Sequence, residues 1–531
     1  MSSKQIKIND ISKDTERLTS VAVEDLMPLP WDFKDEEWSE IPEETREQYA
    51  CILDDTCILP IPRPKTRQEE EELVNKFING MRKLFTKEDN WTFLSMLKTT
   101  MEHCAKCNTC SDACHIYEAS GKNEMYRPTY RSEVFRRIYN KYVKKELLTR
   151  WRSGDLDLNW RTIARLGELA YRCNLCRRCA QTCPIGADNA LVSREIRKIF
   201  SQEMGIAAPE LHEQGSMLQL KVGSSTGMNK LVVADNVEFI DEDFSEETGY
   251  EFKTPWDVEG ADILLIHNAG EIISWPENVA AFSIIFQAAG ISWTMSSELA
   301  AYDSINYGVW YDDIQLARTA LLHAQAAKKL GVKKIVLGEC GHAHKALAVI
   351  ADRVLPEELN IPRESCFPLL RDIVMSGKIK LDPERNNFPV TIHDPCNLTR
   401  LMGIIKPQRD ILKRLCPQFR EMDPHGPFNY CCGGGSGFAI MSRNTIPEWR
   451  FKVAGRKKLE QILNAFSECR GPETKKYLCA PCSNCKGQFR DMIEHYKLLE
   501  REGITYGGLV ELIVNAMVDV NPGFIKWEED L

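Results

Sequence analysis

The chain has 531 residues, too many for one hydrophobic core; at roughly 100–200 residues per domain it should fold as two to four. A net charge of −9 and a pI near 5.8 argue against nucleic-acid binding, which needs a basic surplus, and no uninterrupted apolar run of about 18 residues offers a membrane span. Twenty cysteines behind an N-terminus, Met1-Ser2-Ser3-Lys4, that opens no apolar leader point to reduced thiolates binding metal in the cytoplasm rather than to secreted disulfides.

Residues 1–85 are acidic and punctuated by Pro28, Pro30, Pro60, Pro62 and Pro64, which reads as an extended arm over the domains or a partner. Cys51 and Cys57 lie in it, too far apart for a CxxC clip, and read as plain thiols. From Glu69 the spacing of Leu73, Phe77, Met81 and Leu84 predicts a helix.

Residues 86–205 carry the two sharpest motifs, Cys104-x-x-Cys107-x-x-Cys110-x-x-x-Cys114 and Cys173-x-x-Cys176-x-x-Cys179-x-x-x-Cys183-Pro184. Three cysteines at three-residue steps converge on three corners of one cubane, and the fourth is displaced to a second. By that rule Cys104, Cys107, Cys110 and Cys183 bind one [4Fe-4S] cluster, and Cys173, Cys176, Cys179 and Cys114 the other. Zinc sites use two CxxC pairs instead of a run of four. His115 replaces the usual proline after the first run and either donates to a cluster sulfur or, the preferred reading, turns outward. The insert from Tyr126 to Leu147 presents a basic helical face, the first place to look for a partner or an acidic substrate.

Residues 206–255 read as a linker, because Gly223 to Gly227 and the acidic Asp241-Glu242-Asp243 give no nucleotide-binding pattern. Strands and helices then alternate twice, over 256–385 and 386–531, which predicts a duplicated α/β domain with parallel strands. The second copy carries His393-Asp394-Pro395-Cys396, the run Cys431-Cys432-Gly433-Gly434-Gly435, and Cys479-Ala480-Pro481-Cys482-Ser483-Asn484-Cys485. At the matching places the first copy has Asn268-Ala269-Gly270, Ser296-Ser297-Glu298, and Glu339-Cys340-Gly341-His342-Ala343-His344. It has lost most of its ligands; Cys340 is either a buried remnant or a sulfur facing the cluster, with His342 and His344 able to lower its pKa or supply protons.

Single cysteine, cysteine pair and CxxC together exceed what one cubane needs, and the glycines let backbone amides approach cluster sulfurs. A cluster with surplus thiolates can hold an iron whose coordination changes in turnover, which suits the cleavage of an S–S bond by electrons arriving singly. Cys396, Cys431 and Cys432 are ligand candidates together with Cys482 and either Cys485 or Cys479, each of which forms a CxxC with it, and His393 is a candidate proton donor or a strand-end packing residue.

These motifs resemble the CCG-domain family of heterodisulfide reductases. The fusion of a helical, two-cluster ferredoxin-like domain to a duplicated CCG domain is similar to the HdrD-type polypeptide of that family, and the degenerate first copy resembles its DsrK-like members. The resemblance implies two cubane [4Fe-4S] clusters and one non-cubane [4Fe-4S] cluster in a cytoplasmic subunit held on the inner membrane through its partners. It implies as those partners a cytochrome b subunit (DsrM-like), the other subunits of a DsrMKJOP-like complex, and a small sulfur-carrier protein (DsrC-like) whose disulfide or trisulfide is the substrate. Two readings compete with it: the iron-sulfur subunit of a glycolate- or lactate-type oxidase, and a non-catalytic electron relay.

Overall fold

The computed structural model describes residues 18–31, 37–53, 56–144 and 158–527. Met1 to Lys7 and the end of the basic insert, 145–147, therefore lie outside the described residues. The chain divides into two compact units: one runs to His212 and adds Trp310–Asp313 and Gly433–Glu460, and the other takes Glu213–Val309, Ile314–Cys432 and Gln461–Leu531.

The first unit is helical. The helix Arg67–Leu84 begins where Thr66 Oγ1 accepts the Glu69 amide at 3.2 Å, and it buries Phe77, Met81 and Leu84 along one face. Phe77 meets Phe200 edge-on with ring centroids 6.0 Å apart. The helices Trp160–Tyr171 and Asn189–Lys198 are capped by Asn159 and Asp188 and form the centre of the unit. The N-terminal segment packs on this unit. Cys57, Ile58 and Leu59 are buried, and Glu168 accepts the Ile58 and Leu59 amides while pairing with Arg172 at 3.1 Å. Cys51 and Cys57 are not separate thiols: their Cα atoms lie 6.0 Å apart and they form a disulfide. Proline content marked this segment as irregular, but its apolar side chains needed a core.

The second unit contains two parallel four-stranded sheets. The first comprises β1 (Ile263–Ile266), β2 (Trp293–Thr294), β3 (Lys334–Leu337) and β4 (Arg363–Ser365) in the order β2-β1-β3-β4. The second comprises β5 (Val390–Ile392), β6 (Phe419–Arg420), β7 (Lys476–Cys479) and β8 (Ile504–Gly507) in the order β6-β5-β7-β8. The identical order is the expected duplication, and it permits residue-by-residue comparison. Ile266 pairs with Leu337 and Ile392 with Cys479, so Leu337 corresponds to Cys479 and His267 to His393.

Helices Pro276–Ala288 and Leu509–Ala516 pack in one continuous core with Cys366–Ser376 and Lys406–Leu415. Residues 206–255 are not a plain linker, since Lys230–Thr248 is a 19-residue helix whose Val233, Val237, Ile240 and Phe244 join that core. Their four- and three-residue steps were masked by the acidic residues between them. Among the described residues no helix is long and apolar enough to cross a membrane.

Candidate metal centres

In the first unit the two cysteine runs fold as matching loops. Lys106 and Leu175, which precede the middle cysteines, and Asn108 and Arg177, which follow them, all adopt positive φ between 47° and 63°. None is glycine, so each loop holds two residues in a backbone region that L-residues avoid, at a cost of order 1–3 kcal/mol each. The conformation turns successive cysteines toward one centre, and a short helix follows each loop, Thr109–Asp112 and Arg178–Gln181.

The fourth cysteines exchange places. Burial first, then the charges of Cys104, Cys114, Cys183 and Cys107, push the Cys110 thiol up to about 12; Cys114 is pushed to about 11 by burial and feels Cys176 and Cys173. Cys114, Cys173, Cys176 and Cys179 line one cavity. Sulfurs that raise one another's pKa fit a bound metal, whose positive charge would replace the protons they retain. The Ala187 amide donates to Cys183 at 3.3 Å and the Asn189 side chain to Cys110 at 3.5 Å, contacts that orient ligand sulfurs.

His115 does not turn outward. It is buried, and its Nε2 lies 2.9 Å from Oδ1 of Asn174, whose Nδ2 donates to the carbonyls of Gly433 at 2.8 Å and Gly435 at 3.3 Å. The glycines after the cysteine pair are thus tied to the loop Cys173–Cys179. At Gly433, φ is +96° and an added Cβ would meet Gly455 N at 2.6 Å, so the backbone there admits no side chain.

The second unit gathers the third cysteine group at the carboxyl ends of β5 and β7, where α/β sheets place their ligands. Cys431, Cys432, Cys482 and Cys485 are all buried. The ligand atoms of Cys432, Cys485 and His393 lie within 4.8 Å of one another. Hydrogen bonds from Cys431 and Cys485 hold Cys432 well below the usual thiol range, and Cys485 lowers Cys482 in the same way while its own thiol is raised. Buried sulfurs that share hydrogen bonds in this way fit the donor set of a metal-sulfur site. His393, read as a proton donor, stands in the position of a possible ligand, edge-on to Phe489 with ring centroids 5.1 Å apart.

Cys396 is half-buried at the start of the helical turn four residues beyond β5, outside the group of three. Cys479 is a strand residue corresponding to Leu337. Burial and the charges of Glu339 and Cys416 raise its thiol well above normal, and it is not among the sulfurs that share hydrogen bonds.

The copies also settle where Cys340 sits. Three residues beyond β3, it corresponds to Cys482, three beyond β7; in both, the cysteine amide donates to the carbonyl two residues back at 2.7 Å. Ala343 stands where Cys485 is and Gly270 where Cys396 is. Burial and the charge of Cys482 push Cys340 up to about 12, with Asn268 donating to its sulfur at 3.4 Å. The expected help from histidines is absent. His342 Nε2 accepts the Asn306 amide at 3.0 Å, and His344 bonds the Cys340 carbonyl and Ser365 Oγ; burial lowers them to about 3 and about 4, so both are neutral.

A 4Fe-4S dicluster domain matches residues 100–187, and a cysteine-rich domain, CCG, matches residues 390–490. The chain is 26% identical over 494 residues to the Hdr-like menaquinol oxidoreductase iron-sulfur subunit 2 of Archaeoglobus fulgidus, covering 81% of this chain and 84% of that one. It is 26% identical over 471 residues to the iron-sulfur subunit of the same description from Archaeoglobus profundus, covering 79% and 80%. It is 29% identical to one polypeptide of the dihydromethanophenazine:CoB–CoM heterodisulfide reductase of Methanosarcina mazei, over 39% of this chain and 46% of that one. The chain thus joins a 4Fe-4S dicluster domain to a cysteine-rich CCG domain and is similar over most of its length to Hdr-like iron-sulfur subunits.

Several residues that shape the site carry no motif of their own. Arg409 makes a two-pronged bond to Asp394, 2.8 Å on each oxygen, and Asn429 donates to the Asp394 carbonyl at 2.8 Å, fixing the loop that carries His393 and Cys396. Asn174 could have been suspected from its place inside a CxxC. Arg409, on the helix Lys406–Leu415, could not.

Proposed function

We propose that this protein is the iron-sulfur subunit of a membrane-associated electron-transfer complex and acts on a sulfur–sulfur bond. Cys104, Cys107, Cys110 and Cys183 hold one cubane, and Cys173, Cys176, Cys179 and Cys114 the other. Cys396, Cys431, Cys432, Cys482 and Cys485 hold a non-cubane [4Fe-4S] cluster, with His393 beside it. When bound, these clusters supply single electrons and a Lewis-acidic iron. The residues of the chain do the rest: the buried loops exclude water, Gly341 and Asn268 orient sulfurs, and the raised Cys485 thiol holds a proton among the ligands.

The substrate is the disulfide or trisulfide of a small sulfur-carrier protein of DsrC type, and the partners are a DsrM-like cytochrome b subunit and the rest of a DsrMKJOP-like complex on the cytoplasmic side of the inner membrane. Relatives named as menaquinol oxidoreductase and heterodisulfide reductase subunits support this reading. The observation that carries it is the buried group of Cys432, Cys482, Cys485 and His393, additional to two complete cubane sets. Anaerobically purified protein should contain about twelve irons and as many sulfides, and should cleave a disulfide with reduced viologen as the electron source. About eight irons with no disulfide cleavage refutes the proposal.

A further inference from the structure

The Cys51–Cys57 disulfide belongs to none of the three ligand sets. A chain that binds iron through thiolates works in surroundings that keep thiols reduced, where a disulfide is usually transient and redox-sensing rather than a permanent staple. The two sulfurs differ in access: Cys57 is 1% exposed and Cys51 9%. Cys51 is preceded by the exposed Ala50 and by the helix Glu43–Tyr49, which buries none of its residues. A seven-residue helix with no packed face opens locally at little cost, so a thiol in solution reaches Cys51 first. The Leu53 amide donates to Cys51 Sγ at 3.4 Å, a bond that favours the thiolate once the disulfide is open.

The bridge joins two stretches that are each tied to the helical unit. On the Cys51 side, Arg63 donates to the Cys51 carbonyl at 3.3 Å and Arg161 to the Ile52 carbonyl at 3.0 Å. On the Cys57 side, Thr56 Oγ1 donates to the Thr445 carbonyl at 3.1 Å, and the Cys57 amide to the Tyr49 carbonyl at 3.0 Å. The next two amides, of Ile58 and Leu59, donate to the Glu168 carboxylate at 3.0 Å and 3.3 Å, and both side chains are buried. Glu168 is fully buried and pairs with Arg172 at 3.1 Å, so residues 56–59 supply part of the hydrogen bonding of a buried ion pair.

We propose that Cys51 and Cys57 are a redox-responsive pair, bridged under oxidising conditions and opened by a cellular dithiol, and that the bridge fixes residues 56–59 on Glu168. The inference does not depend on the substrate proposed above. A thiolate of the dithiol attacks Cys51 Sγ; the bond between Cys51 and Cys57 breaks, a mixed disulfide forms, and Cys57 leaves as a thiolate that takes up a proton. The second thiol of the reductant then displaces Cys51 and closes the reductant's own disulfide. Two electrons and two protons pass from the dithiol to the pair. An oxidised dithiol reverses each step, with the Cys51 thiolate as the nucleophile. Opening the bridge removes the cross-link between the two anchored stretches and lets residues 56–59 leave Glu168 more often.

The test equilibrates the full-length, cluster-loaded protein anaerobically at graded ratios of reduced to oxidised dithiothreitol and traps its thiols with iodoacetamide. Mass spectrometry of the peptide carrying both cysteines should show one transition, from no alkyl groups to two. Amide hydrogen exchange over residues 56–59 should be about tenfold faster in the opened form, with the iron content unchanged. Cys51→Ser and Cys57→Ser should exchange at the opened wild-type rate at every ratio. A pair alkylated at every ratio, or still bridged in excess reduced dithiothreitol, overturns the inference. So does exchange over residues 56–59 that is equal in bridged and opened wild-type protein. Iron lost from wild-type protein as the bridge opens would make the disulfide a structural staple and overturns it as well.

Discussion

The backbone amide of Gly341 donates to the sulfur of Cys482 at 3.3 Å, so the ligand-poor copy of the duplicated domain touches the ligand-rich one at a candidate ligand. The space there is tight: an added Cβ would lie 3.1 Å from that sulfur and 3.3 Å from the Pro395 side chain, so both would have to shift by a few tenths of an ångström. Gly341→Ala should lower iron bound at the third site while leaving about eight irons in the cubanes, as read by metal analysis and electron paramagnetic resonance. Unchanged iron and spectra would show that the contact is incidental.

Asn174 satisfies His115 and two glycine carbonyls at once. Asn174→Ala strands buried polar groups at a cost of about 1–3 kcal/mol each, and calorimetry should show a lowered unfolding temperature. Asn174→Asp retains the acceptor for His115 but loses the donor to Gly433, and should fall between the two.

Cys114 belongs to the first motif in sequence and to the cavity of the second in space. Cys114→Ser should therefore perturb the cluster of Cys173, Cys176 and Cys179, and Cys183→Ser that of Cys104, Cys107 and Cys110. Potentiometric titration of the two signals separates the cases, and the opposite pairing would show that the loops do not exchange ligands.

The Arg409–Asp394 pair is buried and also binds Glu421 at 2.7 Å. Arg409→Met leaves Asp394 without its main partner, which costs roughly 3–5 kcal/mol, and frees the loop bearing His393 and Cys396. Denaturant unfolding should show the loss. Substituting Asp394→Asn together with Arg409→Met should recover part of it.

His344 is held neutral, its pKa lowered by burial to about 4 from an ordinary 6.5. In the unfolded chain it binds a proton below 6.5, so the unfolded state gains protons that the folded one refuses. Its contribution to stability is fully present above pH 6.5 and is lost as pH falls toward 4, on the order of 3 kcal/mol in all. His344→Gln should flatten the stability profile between pH 6.5 and 4 in denaturant titrations.

Spacing alone determined the two CxxCxxCxxxC runs and the duplicated parallel α/β domain, because ligand geometry and strand alternation are local properties of a chain. It also separated a ligand-rich copy from a ligand-poor one. Which sulfurs converge is not local. Cys479 and Cys482 both sit in CxxC patterns, yet strand register places Cys479 opposite Ile392 in the sheet and turns Cys482 toward Gly341. His342 looked like a proton source beside Cys340 until the fold committed its ring to the Asn306 amide. The pairing of Cys51 with Cys57 and the burial of His115 likewise depend on tertiary contacts rather than on local spacing. Such contacts exist only once the hydrophobic cores have closed, and no periodicity in the sequence records them.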